Sequence, residues 1–229
     1  MNPLCVAIDT ADGSVVDALA EATEPYAGMF KVGATTFAGL GPPVVTRLAA
    51  SRPVFCDLKL CDIPSQVGGA IAALSALGVT LATVHALGGR EMVRTAAKEA
   101  SGELKILAVT ILTSLDSGDL TELGVRGTAS EAVVRLADMA LEAGASGLVC
   151  SGQEAAALRQ RFGPAASGGP LLVVPGIRFE GGPSADQQRT LGPRAALDAG
   201  ADILVVGRPI TAAPDPGAAA RRISMELAR

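Results

Sequence analysis

In the run Val54 to Pro64, VFCDLKLCDIP, an aspartate and a lysine stand two residues apart at the end of an apolar segment, and a second aspartate follows three residues later. Residues two apart in an extended strand share a face. Asp57 and Lys59 therefore point one way, and Val54, Cys56 and Leu58 point the other. Charge on the inner face of a buried strand is costly unless it is paired, so this pattern marks a site rather than a core. Asp62 falls just past the strand, where a loop carries it back to the same spot or across to another subunit. An ammonium flanked by carboxylates stays protonated, which makes it a poor Schiff-base nucleophile and a good proton donor. A carboxylate held beside it repels an anionic group of a substrate. Together they suit a reaction that expels a negative group and then protonates the carbon left behind.

Other strand-like runs carry related charges. Asp9 closes VAID, Lys31 sits in FKVG, and His85 sits in TVHA. Alternation places Asp9 on the face of Ala7 and Lys31 on the face of Met29. Two later runs end in PGIR (175–178) and VGRP (206–209). Their glycines allow close backbone approach, their N–H groups can cradle phosphate oxygens, and Arg178 and Arg208 can bind such oxygens in a bidentate fashion.

These residues need a scaffold that brings strand ends together. Eight short apolar runs recur, at 4–9, 28–33, 54–59, 81–86, 106–112, 147–151, 171–177 and 203–208. Their Val, Leu and Ile content suits strands buried on both faces. Ala-rich segments with helical character lie between them, at 14–24, 65–77, 91–100, 130–143, 153–162 and 216–228. Ser130 reads as an N-cap, and Gly78, Gly144 and Gly200 read as the glycines that end helices. Strand starts fall 24, 26, 27, 25, 41, 24 and 32 residues apart. Eight strand–helix units at this spacing predict an α/β fold, a (β/α)8 TIM barrel forming a single domain over residues 1–229. An open doubly wound sheet is the alternative, but no GxGxxG follows the first run. The long steps place extended polar loops at 113–129 and 178–194, candidates to cover a substrate.

Composition narrows the function classes. The chain has 229 residues, 49% hydrophobic and 18% charged, which disfavours disorder. Aromatics are 3%, the net charge is −4, and there is no run of Lys or Arg. A nucleic-acid footprint is therefore not expected. No apolar stretch of membrane-spanning length is free of charges or breakers, so no membrane partner is expected and a cytoplasmic location is. The four cysteines lack CxxC spacing and read as small buried residues in a reducing compartment. With one histidine, His85, a Cys/His zinc site has little support.

The blocks VAID (6–9), FKVG (30–33), DLKLCDIPS (57–65), VHALGG (84–89), VTILTS (109–114), VCSGQEA (149–155), VPGIR (174–178), ADQQR (185–189) and VGRPIT (206–211) run nearly end to end. In this order the chain resembles the orotidine 5′-phosphate decarboxylase family. The resemblance implies a phosphate-binding barrel, a homodimer, and decarboxylation of orotidine 5′-phosphate (OMP) to UMP and CO2 without metal or organic cofactor, in de novo pyrimidine biosynthesis. It implies that Lys59 protonates C6 of the pyrimidine and that Asp57 sits against the substrate carboxylate. Lys31 would hold Asp57 and contact the ribose, and Asp9 would bind a ribose hydroxyl. Asp62 would enter the neighbouring subunit's site. Thr113 would contact the pyrimidine end, Gln187 would bridge base and phosphate, and Arg178, Gly207 and Arg208 would hold the phosphate. One departure stands out. Many members carry Thr where this chain has Gln66, so the ribose contact across the interface passes to Gln66 or to Ser65. His85 is expected to play a structural role, and Cys61 to be a filler.

Three other readings compete. A Mg2+-dependent 3-keto-gulonate-phosphate decarboxylase would share DxKxxD but carry an acidic metal ligand near the end of the second strand, where this chain has Lys31. A catalytically silent barrel that senses a nucleotide would bind UMP without turning over OMP. Phosphosugar epimerase barrels usually use metal-binding histidines, and this chain has one His.

Overall fold

The computed structural model describes residues 2–177 and 191–228. Eight strands follow one another around a closed parallel barrel: β1 (Leu4–Ile8), β2 (Met29–Gly33), β3 (Val54–Leu60), β4 (Leu81–His85), β5 (Lys105–Val109), β6 (Gly147–Val149), β7 (Leu171–Val174) and β8 (Ile203–Val206). β8 closes on β1, with Cys5 beside Val205. Closure removes the edges that an open sheet would expose, so the doubly wound alternative falls away. Helices alternate with the strands as the spacing predicts.

Alternation along each strand sorts the apolar residues into two cores. Inward residues form one: Cys5, Ala7, Met29, Phe55, Leu81, Leu107, Val109, Val149, Val173, Ile203 and Val205. Outward residues such as Val6, Phe30, Val32, Val54, Cys56 and Leu204 pack beneath the helices in the other. Full burial of an aromatic such as Phe55, 1% exposed, contributes up to about 3 kcal/mol relative to leaving it in water. The inner core plugs the lower barrel. The next inward positions towards the strand C-termini are polar: Asp9, Lys31, Asp57, Lys59 and Thr83. Filling the bottom and leaving the top to polar groups is what makes the C-terminal mouth the place for chemistry.

Local details depart from the sequence reading in instructive ways. The helix expected at 130–143 runs Ala129–Glu142, and its N-cap is Thr128 rather than Ser130. Thr128 and Glu131 form a reciprocal capping box, which outweighs a hydroxyl placed two residues later. The insertion at 113–129 is not loop throughout. It holds a helix, Ser117–Glu122, started by a capping box between Asp116 and Asp119 and anchored by buried Leu120. Gly78, Gly144 and Gly200 do follow helix ends, each at positive φ (75°, 102° and 100°). Cys5, Cys56 and Cys150 are buried, and burial pushes each thiol up to about 12. Cys61 departs from that expectation and is exposed, because the chain has left the barrel by that point. Among the described residues, no helix is long and apolar enough to cross a membrane.

Candidate active site at the barrel mouth

Two strands and one strand end set the charges in a row. Lys31 on β2 donates to both oxygens of Asp9, at 2.9 and 3.2 Å, just past the end of β1. Its Nζ lies 3.8 Å from Asp57 Oδ2 on β3. The same Oδ2 takes a hydrogen bond of 2.7 Å from Lys59 Nζ. The order Asp9, Lys31, Asp57, Lys59 alternates in sign and sums to zero. Lys31 is nearly enclosed, with 9% of its side chain exposed, whereas Lys59 at 37% reaches towards open space. A buried ammonium between two carboxylates is compensated, and a half-exposed one at the end of the row is free to meet a substrate.

The row is held by neighbours that the sequence motifs did not single out. Thr36 Oγ1 donates to Ile8 O at 2.7 Å and accepts from Thr10 N at 3.0 Å, gripping the backbone on both sides of Asp9. Gly33 faces the same way as Lys31 and is paired with Asp57 across the β2–β3 ladder. A methyl at this glycine would land on Asp9 Oδ1 and 3.0 Å from Lys31 Nζ. The backbone at Gly33 is extended, so the demand is for space and not for an unusual φ. Gly33→Ala should therefore keep its melting transition while kcat/KM falls roughly 10- to 100-fold, because the Lys31–Asp9 pair must move apart. Steady-state kinetics beside a thermal melt checks this.

β3 itself is irregular at the motif. Cys56 pairs with Ala82 and Leu60 with Val84, so three residues of β3 stand against one of β4. Lys59 sits at φ +49°, the one non-glycine at positive φ among the described residues. A left-handed conformation at an L-residue costs about 1 kcal/mol or more, and such strain gathers where function demands a direction.

Across the mouth, β7 runs into Pro175, Gly176 and Ile177, and β8 into Gly207 and Arg208. These line one cavity of about 290 Å3 together with Asp9, Lys31, Asp57, Lys59 and Thr113. Arg208 opens a short helix, Arg208–Thr211, directly after Gly207. A broader hollow of about 960 Å3 lies on the outside between Tyr26 and Arg221, away from the charged row. The cavity thus gathers seven of the residues singled out from sequence: Asp9, Lys31, Asp57, Lys59, Thr113, Gly207 and Arg208. Asp62, Ser65 and Gln66 are elsewhere, on exposed surface at the start of helix Pro64–Ala76. Asp62 Oδ1 accepts from its neighbour's Ile63 N at 2.6 Å. Arg178 and Gln187, and most of the segment 178–194 expected to cover a substrate, lie outside the described residues.

His85 ends β4 and accepts a hydrogen bond from Leu87 N at its Nδ1, capping the short turn Ala86–Gly88. That matches a structural role. Burial first, and the Lys59 ammonium second, lower its pKa from the ordinary 6.5. The unfolded chain therefore takes up this proton before the folded chain does. The stability His85 contributes is present above about pH 6.5 and is lost as pH falls through the lower folded value. His85→Gln should flatten this part of the profile, read as urea midpoints between pH 7.5 and 5.5.

Comparison with known proteins agrees with this geometry. Residues 2–223 match the family described as "Orotidine 5'-phosphate decarboxylase / HUMPS family". The orotidine 5′-phosphate decarboxylase of Anaeromyxobacter dehalogenans is 49% identical over 225 residues, covering 98% of this chain and 97% of that protein. The enzyme of that name from Thermobifida fusca is 48% identical over 227 residues, covering 98% and 95%. The crystal structure of orotidine 5′-phosphate decarboxylase from Lactobacillus acidophilus superposes with a TM-score of 0.87 at 34% identity, over 100% of both chains. Matched by the family model over residues 2–223 and 49% identical to a named member over 98% of its length, the chain belongs to the orotidine 5′-phosphate decarboxylase / HUMPS family.

Proposed function

We infer that this chain decarboxylates orotidine 5′-phosphate to UMP and CO2 in pyrimidine biosynthesis. The observation that carries the reading is the alternating row Asp9–Lys31–Asp57–Lys59 on one wall of a cavity whose opposite wall holds Gly207 and Arg208. In this reading the nucleotide phosphate lies at Gly207 and Arg208, and Arg178 and Gln187, outside the described residues, add to its hold as the family resemblance implies. The ribose meets Asp9 and Lys31, and the pyrimidine meets Thr113. The substrate carboxylate faces Asp57. The bond from C6 to the carboxylate breaks, CO2 leaves, and the electron pair stays on C6. Lys59 Nζ gives its proton to that carbon and recovers one from water.

The difficulty of the reaction is a carbanion without an electron sink. Lys59 places positive charge where the lone pair develops, and Asp57 disfavours the carboxylate of the ground state more than the departing neutral CO2. Phosphate contacts far from C6 supply binding energy that holds the base against these groups. None of these steps calls for a metal or an organic cofactor. The ammonium of Lys31 stands between Asp9 and Asp57, where a divalent cation would have to sit to use both carboxylates.

We further propose a cytoplasmic homodimer of one-domain subunits in which Asp62 completes the partner's row. In support, Asp62 is exposed and is followed by Ile63, 61% exposed, with Leu87 on the surface at 50%. Ser65 and Gln66 share that surface, and one or the other would reach the partner's ribose. Purified chain mixed with OMP, with and without EDTA, tests the reading by loss of substrate absorbance. Equal rates in both arms are expected. Activity that vanishes with EDTA would favour the Mg2+-dependent type, and tight UMP binding without OMP turnover would favour a silent nucleotide sensor.

A further inference from the structure

Thr83 is a polar residue with no exposed surface, on the inner face of β4 between Leu81 and His85. The shifted β3–β4 register sets it alone against residues 57–59. At this shifted step Thr83 Oγ1 accepts a hydrogen bond from the Lys59 N–H at 2.9 Å. The same hydroxyl gives its one proton to Asp57 Oδ1 at 3.0 Å. Asp57 Oδ2 is left to face Lys59 Nζ at 2.7 Å and Lys31 Nζ at 3.8 Å. One hydroxyl thus ties the carboxylate of Asp57 to the strained backbone of Lys59, which carries the proton donor.

We propose that Thr83 is a positioning residue for decarboxylation: it fixes the Asp57 carboxylate and the Lys59 backbone relative to each other. This rests on the roles given to Asp57 and Lys59 under the proposed function. The oxygen that Thr83 holds is the one not engaged by either lysine, so it sets the rotation of the carboxylate about its own bond. Loss of the hydroxyl takes a partner from a largely enclosed carboxylate oxygen and from the Lys59 N–H, and the cheapest relief is to turn Asp57 and let Lys59 drift. The proposed phosphate contacts Gly207 and Arg208 follow β8 on the opposite wall of the cavity and touch neither Thr83 nor its partners. The loss should therefore fall on the chemical step and not on nucleotide binding, since small misplacement at a reacting centre is expensive in rate.

Thr83→Val removes the hydroxyl at nearly constant volume, and Thr83→Ser keeps it. Wild type and both variants are assayed for OMP turnover and for UMP affinity. Thr83→Val should lower kcat roughly 10- to 100-fold with UMP affinity within about threefold of wild type. Thr83→Ser should stay within about threefold of the wild-type kcat. A valine variant with wild-type kcat, equal losses in the two variants, or a parallel fall of kcat and UMP affinity would overturn the proposal. So would a valine chain that does not fold, because the hydroxyl would then hold the barrel and not the site. A wild-type chain with no OMP turnover would instead sink the functional reading on which the proposal rests, whereas an active wild type matched by Thr83→Val sinks the proposal alone.

Discussion

Lys59→Ala should lower kcat for OMP by at least about 10,000-fold while the barrel still melts cooperatively. Two contributions vanish together. General-acid delivery to C6 goes, and so does the positive charge beside the developing lone pair. Water can replace neither in position. Asp57 keeps Lys31 at 3.8 Å and Thr83 at 3.0 Å, so its carboxylate stays partly compensated and the fold does not hinge on Lys59. The backbone offers a second readout. At φ +49° a Cβ is strained, and glycine is not. Lys59→Gly should be as inactive as Lys59→Ala but more stable than it by about 1 kcal/mol, because the two differ only in that Cβ. Denaturant midpoints of the pair isolate this difference. A site that holds its proton donor in an unfavourable backbone region gives up stability for direction, and this comparison measures how much.

Mixing two inactive proteins should restore activity. In the proposed homodimer, Asp62→Ala and Lys59→Ala are each expected to be nearly silent, the first because each site would lack its neighbour's carboxylate. After subunit exchange, a hybrid dimer has one site in which Lys59 and the partner-supplied Asp62 are both present. Random reassortment makes half the dimers hybrids with one good site in two, so specific activity should recover to about a quarter of wild type. No recovery after demonstrated exchange would place Asp62's contribution within its own chain. That outcome would conflict with where Asp62 sits, exposed beyond the end of β3 and bonded to Ile63 N.

Much of this was legible from residues alone, because period-2 alternation is a strong rule in buried strands. It put Asp57 and Lys59 on one face and Lys31 with Met29, and the inner core and the cavity lining follow that parity. The strand spacing carried the barrel for a similar reason. What escaped depends on pairing between strands distant in sequence. The register shift that turns Lys59 to positive φ exists only once β3 lies against β4. Thr83 carried a signal, a hydroxyl in an apolar run at the same parity as His85, but its two partners are visible only in that pairing. Gly33 likewise looks like an ordinary strand-ending glycine until Asp9 is placed beside it. The cap at Thr128 was readable as T-x-x-E and was masked by the nearer Ser130.

A crystal structure of the chain with UMP bound tests the central idea most directly, that a row of opposite charges meets the pyrimidine while the phosphate is held across the barrel. The account predicts phosphate oxygens on Gly207 N and the Arg208 guanidinium, C6 within about 3.5 Å of Lys59 Nζ, and the partner subunit's carboxylate beside the row. A nucleotide bound with C6 turned away from Lys59, or with its phosphate seated outside the cavity, would contradict it.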